Sequence, residues 1–293
     1  MNTKNKIDLM ICGAQKAGTT SLLHYLKAHP NVIKQKVNEF AYFVLDEMYN
    51  EGYDSAFEKY FEKSSGNSNT VIAKNVGVMY MPNAIKRLHE HNPHVHVVLL
   101  LRNPVERAYS NYYYALRKGD ETLESFEQAI EAEPKRLQQD AKHWRNCAYL
   151  NRGLYCNSIE EFLKYFPKKQ LHIYLFENFK KEPSKICKEI FSTLNLEPNV
   201  AINYNKKHNE KASAKSSRLA KATNSKNPIK KFLKLFMGPD LRRTLKKSIQ
   251  QANEISFDQP KMNAETRKKL IEYYLPYNHK LEILTGLDIS SWK

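Results

Sequence analysis

Short apolar runs alternate with amphipathic segments along most of the chain. Runs of leucine and β-branched residues predict buried strands at 7–12, 31–33, 71–73, 94–101 and 171–176. Apolar residues at helical spacing predict helices at 19–29, 52–62, 82–92, 122–133, 158–166 and 184–194. The alternation predicts an α/β class fold with three layers, a P-loop-like arrangement in which helices flank a central, mainly parallel sheet.

The first predicted strand leads into a glycine-bounded loop, GAQKAG, which runs from Gly13 to Gly18 and opens a helix. Such a loop binds anions, because its N–H groups point inward and the helix dipole adds positive charge. The two glycines match the loop of nucleoside triphosphatases, but Thr19 follows the second glycine where those loops carry lysine. The lysine is instead Lys16, in mid-loop. Further donors are the hydroxyls of Thr19, Thr20 and Ser21. We expect a phosphorylated ligand here; the alternative is a plain turn.

A second cation follows the 94–101 strand. In parallel sheets, ligands bind beyond the carboxyl ends of the strands, which is where Lys16 and Arg102 both fall. Asn103, Pro104 and Glu106 have the spacing of a capped helix start, and Ser110 follows on that helix. A nucleotide phosphate at this edge would meet the Arg102 guanidinium and the Ser110 hydroxyl. A triphosphatase often has a metal-binding aspartate here, so the arginine argues against a metal–triphosphate site.

The charge balance favours anionic partners. The 293 residues include 47 Lys and Arg against 31 Asp and Glu, a net charge of +16. Nucleic acid, acidic lipid, a polyanionic glycan or a nucleotide would each suit that charge, although a solvated lysine-rich surface explains part of it. The four cysteines show no metal spacing, Asp8 interrupts the only early apolar run, and no run reaches the roughly 20 apolar residues of a membrane span. These features predict a cytoplasmic protein.

Three segments resemble the sulfotransferases that use 3′-phosphoadenosine 5′-phosphosulfate (PAPS). GAQKAGTTSLLHYLKAHP resembles their 5′-phosphosulfate loop, and VVLLLRNPVERAYSNYYY resembles their 3′-phosphate motif. ETRKKLIEYYLPYNHKLEILTGLDISSW is similar to the C-terminal helix of the bacterial and heparan-type members. The resemblance spans nearly the whole chain, and it implies one domain over 1–293, with a basic loop and a lid-like helical insertion at about 200–260.

The resemblance implies a function and a set of residue roles. PAPS would be the co-substrate, and no metal would be required, because the leaving group is a single phosphate monoester. The implied PAPS-binding residues are Gln15, Lys16, Ala17, Gly18, Thr19, Thr20, Ser21, Arg102, Ser110 and Lys211. The implied catalytic residues are Lys16, Glu39 and Lys74, and Arg152 and Tyr155 would lie near the acceptor.

Glu39 is the expected base, because it follows the second strand near the C-terminal edge of the first. NEFAYF at 38–43 resembles the family string K-E-P-H-F-F but replaces its lysine, proline and histidine. Of the family string E-K-S-P-x-Y, only Lys74 remains. A histidine base, as in cytosolic small-molecule sulfotransferases, is the alternative. The candidate histidines are His89, His91, His94 and His96.

Several points stay open at this level. The basic loop at 203–217 lacks the glycine that is usual in the family, so Lys206, Lys207 and Lys211 are all candidates for the 3′-phosphate. The segment 228–247 is either a lid helix or an amphipathic helix on a membrane surface. The acceptor is a saccharide or glycan, or else a lipid or small secondary metabolite, and the sequence indicates no oligomeric state. A kinase with a variant phosphate loop and a non-catalytic basic protein are the competing functions; we do not expect nucleic acid as partner.

Overall fold

The computed structural model describes residues 5–63, 69–138, 146–205, 212–213, 255–256 and 259–292. The strands are β1 (Leu9–Gly13), β2 (Val32–Ile33), β3 (Thr70–Lys74), β4 (His96–Leu101), β5 (Leu171–Leu175), β6 (Ala212–Ser213) and β7 (Ile255–Ser256). The helices are α1 (Thr19–Leu26), α2 (Asp46–Asn50), α3 (Tyr53–Tyr60), α4 (Pro82–His91), α5 (Pro104–Lys118), α6 (Phe126–Leu137), α7 (Tyr155–Leu163), α8 (Phe176–Lys181), α9 (Pro183–Thr193) and α10 (Ala264–Thr285).

A five-stranded sheet forms the centre of the fold, with strand order β2-β3-β1-β4-β5 and parallel pairing throughout. Every residue of β1 and β3 is buried, as are the last five of β4, because a parallel sheet is covered by helices on both faces. At the edge of the sheet, β5 is only half-buried. The predicted α/β fold with a central parallel sheet is thereby confirmed.

The strand order brings the predicted chemistry to one edge. Ile11 of β1 lies beside Lys74, the last residue of β3. On the other side of β1, Gly13 lies beside Leu99, two residues before the end of β4. The loop after β1, Lys74 and Arg102 therefore all lie at the carboxyl ends of neighbouring strands.

Some predicted boundaries were wrong for local reasons. The helix expected at 122–133 begins only at Phe126, because Ser125 caps it by accepting from the Gln128 N–H at 3.2 Å. The preceding N–H groups of Thr122 and Leu123 donate instead to the Glu121 carboxylate. The helix expected at 158–166 begins three residues earlier, at Tyr155. His94 precedes β4 rather than lying within it.

The chain divides into two compact units. The first comprises Met1–Arg107, Asn151–His208 and Lys269–Lys293 and contains the five-stranded sheet. The second comprises Ala108–Leu150 and Asn209–Lys268; in it Arg136 forms an ion pair with the buried Glu121, which also accepts from the Tyr149 hydroxyl at 2.8 Å. Among the helices in the described ranges, none combines the length and apolar character that a membrane crossing requires.

Candidate functional site

Two glycines bound the loop between β1 and α1, and a Cβ at either position would meet a side chain from a distant part of the chain. A Cβ at Gly13 would lie 2.2 Å from the Met79 sulfur. A Cβ at Gly18 would lie 2.9 Å from the Phe176 ring, and Gly18 also has a φ of +83°. L-residues rarely adopt that conformation, so Gly18 is fixed by both space and backbone geometry.

Some N–H groups of the loop donate to other groups of the protein, and others lie at the start of α1. The Gln15 N–H donates to the Tyr80 hydroxyl at 3.2 Å, and the Ala17 N–H donates to the Ala14 carbonyl at 3.2 Å. Gly18 occupies the N-cap of α1 without a side-chain cap, so the N–H groups of the first turn point out of the helix end. An anion at this loop could accept hydrogen bonds from the N–H groups at the start of α1. A bond from the Ala17 N–H would instead have to replace the existing bond to the Ala14 carbonyl.

The carbonyl of Lys16 accepts a hydrogen bond from Arg102. Arg102 Nη1 lies 3.1 Å from this oxygen, and the guanidinium carbon lies 5.2 Å from the centre of the Phe176 ring. Burial lowers the pKa of Arg102, and the neighbouring Glu106 opposes that shift. Lys16 has a φ of +70°, the left-handed region that non-glycine residues occupy at a cost. The two predicted phosphate-binding cations therefore belong to one hydrogen-bonded unit.

The segment after Arg102 is held by several partners. Asn103 caps α5 as predicted, because its side-chain oxygen accepts from the Val105 N–H at 3.0 Å. The hydroxyl of the buried Tyr155 donates to the Arg102 carbonyl at 2.8 Å, and burial raises its pKa. The Tyr155 ring lies 6.0 Å from that of Trp292. Tyr155 is 1% exposed. Its contacts are therefore with the protein interior, where its hydroxyl holds the backbone of Arg102.

Arg152 lies beside the loop. Its Nη1 donates to the side-chain oxygen of Gln15 at 2.7 Å, and its guanidinium lies 4.5 Å from the centre of the Tyr80 ring. The structure therefore brings Arg152 together with a predicted PAPS-binding residue. Sequence reasoning missed Tyr80, because nothing in its neighbours along the chain distinguishes it from a core tyrosine.

Lys74 and Glu39 form an ion pair at the end of β3. The Lys74 side chain is 0% exposed and that of Glu39 is 43% exposed. Lys74 Nζ also donates to the Asn38 carbonyl at 2.9 Å, and the second Glu39 oxygen accepts from the Val76 N–H at 3.0 Å. Burial lowers the pKa of Lys74, and the Glu39 charge opposes that shift. Glu39 therefore presents a fixed, partly open carboxylate, a geometry that suits a general base.

The four candidate histidines lie away from this edge. His96 is the first residue of β4, five residues before its C-terminal end, and its Nδ1 lies 3.0 Å from His172 Nε2. Five residues of strand correspond to about 17 Å. His91 accepts from the Ile7 N–H at 3.1 Å, ahead of β1. His89 packs on Phe166, and His94 is exposed in the turn before β4. This placement favours Glu39 over these four histidines as base.

No described contact bears on several of the predicted roles. Ser110 is half-buried on α5, within the second unit, and its part in phosphate binding stays a prediction. Lys211, with Lys206 and Lys207, lies outside the described residues, and so does the segment 228–247.

In the part of the chain that the structure describes, no three His, Cys, Asp or Glu side chains form a group that could hold a metal ion.

Comparison with known proteins identifies the family. The family model described as "Sulfotransferase domain" matches residues 6–275. The bifunctional heparan sulfate N-deacetylase/N-sulfotransferase of Drosophila melanogaster is 30% identical over 209 residues, which cover 64% of this chain and 20% of that protein. Heparan sulfate glucosamine 3-O-sulfotransferase 5 of Homo sapiens is 27% identical over 197 residues, which cover 66% of this chain and 54% of that protein.

A solved structure shares the fold. The sulfotransferase from Alicyclobacillus acidocaldarius superposes with a TM-score of 0.70 at 22% identity, covering 98% of this chain and 99% of that one. The curated relatives are longer: the chain spans between a fifth and about half of their length.

Proposed function

This chain belongs to the sulfotransferase family, and on that premise we propose that it transfers the sulfuryl group of PAPS to a hydroxyl or amine of an acceptor. The observation that carries the proposal is the bond from Arg102 to the Lys16 carbonyl at 3.1 Å. It joins a glycine-bounded anion loop to a second cation at the carboxyl end of the adjacent strand. A donor with a 5′-phosphosulfate and a 3′-phosphate needs two such anion sites.

The donor-binding roles follow from this arrangement. The 5′-phosphosulfate lies against the start of α1, where the N–H groups and hydroxyls of Thr19, Thr20 and Ser21 supply donors. Arg102 and Ser110 take the 3′-phosphate, together with a lysine of the basic loop, for which Lys211 is our choice. The guanidinium of Arg102 suits a phosphate because it offers two parallel donors.

The reaction is an in-line displacement at sulfur. The acceptor oxygen or nitrogen forms a bond to sulfur while the bond from sulfur to the bridging phosphate oxygen breaks, and 3′-phosphoadenosine 5′-phosphate (PAP) leaves. Glu39 takes the acceptor proton, because its carboxylate is held by Val76 and Lys74 yet remains partly open. Lys16 stabilises the charge that develops on the leaving phosphate. Lys74 orients Glu39 through their ion pair, and no metal takes part.

The acceptor that we propose is a saccharide or glycan. The two relatives are named for heparan sulfate or its glucosamine, and the net charge of +16 suits an anionic saccharide. A lipid or a small secondary metabolite is the second candidate. The cysteines at 12, 147, 156 and 187 are buried free thiols, which fits a reducing, cytoplasmic setting.

Calorimetric titration with PAP, beside ATP with Mg²⁺, tests the donor site. We expect PAP to bind with or without metal, and binding to be lost in Arg102→Ala and weakened in Arg102→Lys, which lacks the two-donor geometry. Arg87→Ala is the matched control, because Arg87 also lies over an aromatic ring, that of Tyr49 at 4.2 Å, but pairs with Asp46. Preference for Mg-ATP would overturn the proposal in favour of a kinase.

A panel of acceptors tests the transfer itself. Purified protein with PAPS should sulfate desulfated or N-deacetylated heparan-type saccharides, measured as PAP release. Lipids with sugar headgroups and small phenols form the other arms. Transfer to one of these alone would reject the saccharide, and transfer to none, with PAP bound, would reject catalysis and leave a binding protein.

A further inference from the structure

The loop residue before Lys16 is held from two sides by partners that come from distant parts of the chain. The backbone N–H of Gln15 donates to the Tyr80 hydroxyl at 3.2 Å. Its side-chain oxygen accepts from Arg152 Nη1 at 2.7 Å. These partners are also in contact with each other, because the Arg152 guanidinium lies 4.5 Å from the centre of the Tyr80 ring.

Both partners are built into the interior. Tyr80 is 8% exposed and ends the 3₁₀ turn Val78–Tyr80, and Arg152 is 4% exposed in the turn Asn151–Gly153. A buried arginine that stacks on an aromatic ring and donates to a neutral amide keeps its charge at a fixed place. Burial of the guanidinium costs desolvation free energy, which the bond to Gln15 and the contact with the Tyr80 ring partly offset.

The turn that carries Tyr80 also continues from Lys74, the ion-pair partner of Glu39. Lys74 ends β3, the Asn75 side chain accepts from the Gly77 N–H at 2.8 Å, and the Tyr80 N–H donates to the Gly77 carbonyl at 3.1 Å. Tyr80 therefore connects the segment that holds Lys74 to the loop that holds Lys16.

We infer that Tyr80 and Arg152 are positioning residues for the PAPS-binding loop, and that Arg152 acts through Gln15 rather than on the acceptor. The inference rests on the proposed function. With Arg102 on the Lys16 carbonyl, the bonds to Gln15 fix two successive residues of the loop at three points. This restraint keeps Lys16 in its left-handed conformation, with a φ of +70°, before the donor arrives. A loop ordered in advance binds its ligand more tightly, because less conformational entropy is lost on binding.

A double-mutant cycle on PAP affinity tests the route from Arg152 to the loop. Arg152→Met and Gln15→Leu should each weaken PAP binding about 3- to 10-fold, as expected for one lost hydrogen bond. Because both remove the same contact, the double variant should bind no more weakly than the worse single variant. Arg152→Lys replaces Arg152→Met if the latter does not fold, which thermal unfolding reports.

Tyr80→Phe tests the second support, since it removes the hydroxyl and keeps the ring beneath Arg152. We expect weaker PAP binding with an unchanged melting temperature. Tyr49→Phe is the matched control, because Tyr49 also lies beneath an arginine, and its PAP affinity should equal that of the wild type. Additive losses in the cycle, or wild-type affinity in Tyr80→Phe, would overturn the inference while leaving the proposed function in place. Failure of the wild-type protein to bind PAP would overturn both.

Discussion

The ammonium of Lys74 is completely buried, yet its ion-pair partner Glu39 is 43% exposed. The pair therefore joins an interior charge to a carboxylate that solvent and an acceptor can reach. Removing either partner has different consequences: loss of Lys74 leaves a hydrated carboxylate, whereas loss of Glu39 leaves a buried ammonium with the Asn38 carbonyl. This asymmetry determines how mutations at the proposed base must be interpreted.

Glu39→Gln should lower both activity and stability. We expect kcat to fall about 10²- to 10⁴-fold through loss of the base. The free energy of unfolding should fall by about 1–3 kcal/mol, because the buried ammonium loses its carboxylate. Initial rates of PAP release and urea unfolding measure the two effects.

The double variant Glu39→Gln with Lys74→Met separates the loss of activity from the loss of stability. Replacing the buried ammonium by an apolar chain of similar length should restore most of the stability, while kcat stays low. Wild-type rates in Glu39→Gln would remove this residue from the mechanism.

Lys16 offers a contrast between two small replacements. Lys16→Ala and Lys16→Gly should both abolish turnover, because each removes the cation at the leaving phosphate. The glycine variant should be the more stable by about 0.5–1 kcal/mol, since only glycine adopts a φ of +70° without strain. Urea unfolding of the two variants measures the difference; equal stability would mean that the left-handed conformation costs nothing here.

The two loop glycines should respond differently to a compensating change. Gly13→Ala collides with the Met79 side chain, so Met79→Ala in the same chain should restore part of the lost PAP affinity. Gly18→Ala meets Phe176 and also places a side chain at a φ of +83°, so Phe176→Ala should fail to rescue it. Calorimetry on the four variants checks this, and rescue at both positions would mean that space alone requires the glycines.

His91 should make stability depend on pH. Burial lowers its pKa to about 4, and Lys6 adds to that shift, whereas the pKa of an unfolded histidine is about 6.5. The unfolded state therefore binds more protons between these values, so the stability from the neutral ring is complete above about pH 6.5 and is lost as the pH falls towards 4. From pH 7 to pH 5 we expect a loss of about 1–2 kcal/mol.

Urea unfolding at the two pH values measures that loss. The change in the free energy of unfolding between the two pH values should be smaller in His91→Gln. His94→Gln serves as the control, because His94 is exposed. An unchanged pH dependence in His91→Gln would show that this ring is not responsible.

Local signals in the sequence were sufficient for the loop and for the start of α5. The Asn103 cap depends on near neighbours along the chain, and the spacing of Gly13, Lys16 and Gly18 is itself a local pattern that marks the loop. The bond between Arg152 and Gln15 joins residues 137 apart, and the pairing of Lys74 with Glu39 depends on which strands are neighbours. Such contacts follow from tertiary packing, which spacing alone does not encode. The late start of α6 has a local origin instead, because Ser125 caps the helix and the Glu121 carboxylate accepts from the N–H groups of the next two residues.

The bond from Arg102 to the Lys16 carbonyl has a consequence for the choice between donors. A nucleotide with a 3′-phosphate would keep the Arg102 side chain in its present orientation and thereby keep the backbone of Lys16 in place. Adenosine 5′-phosphosulfate, which lacks that phosphate, would leave the guanidinium without its anion and the lysine less well aimed at the departing oxygen. The enzyme would then discriminate against this donor in two ways, through a lower binding affinity and through a slower cleavage of the bond between sulfur and the phosphate oxygen. The Arg102 side chain would be responsible for both.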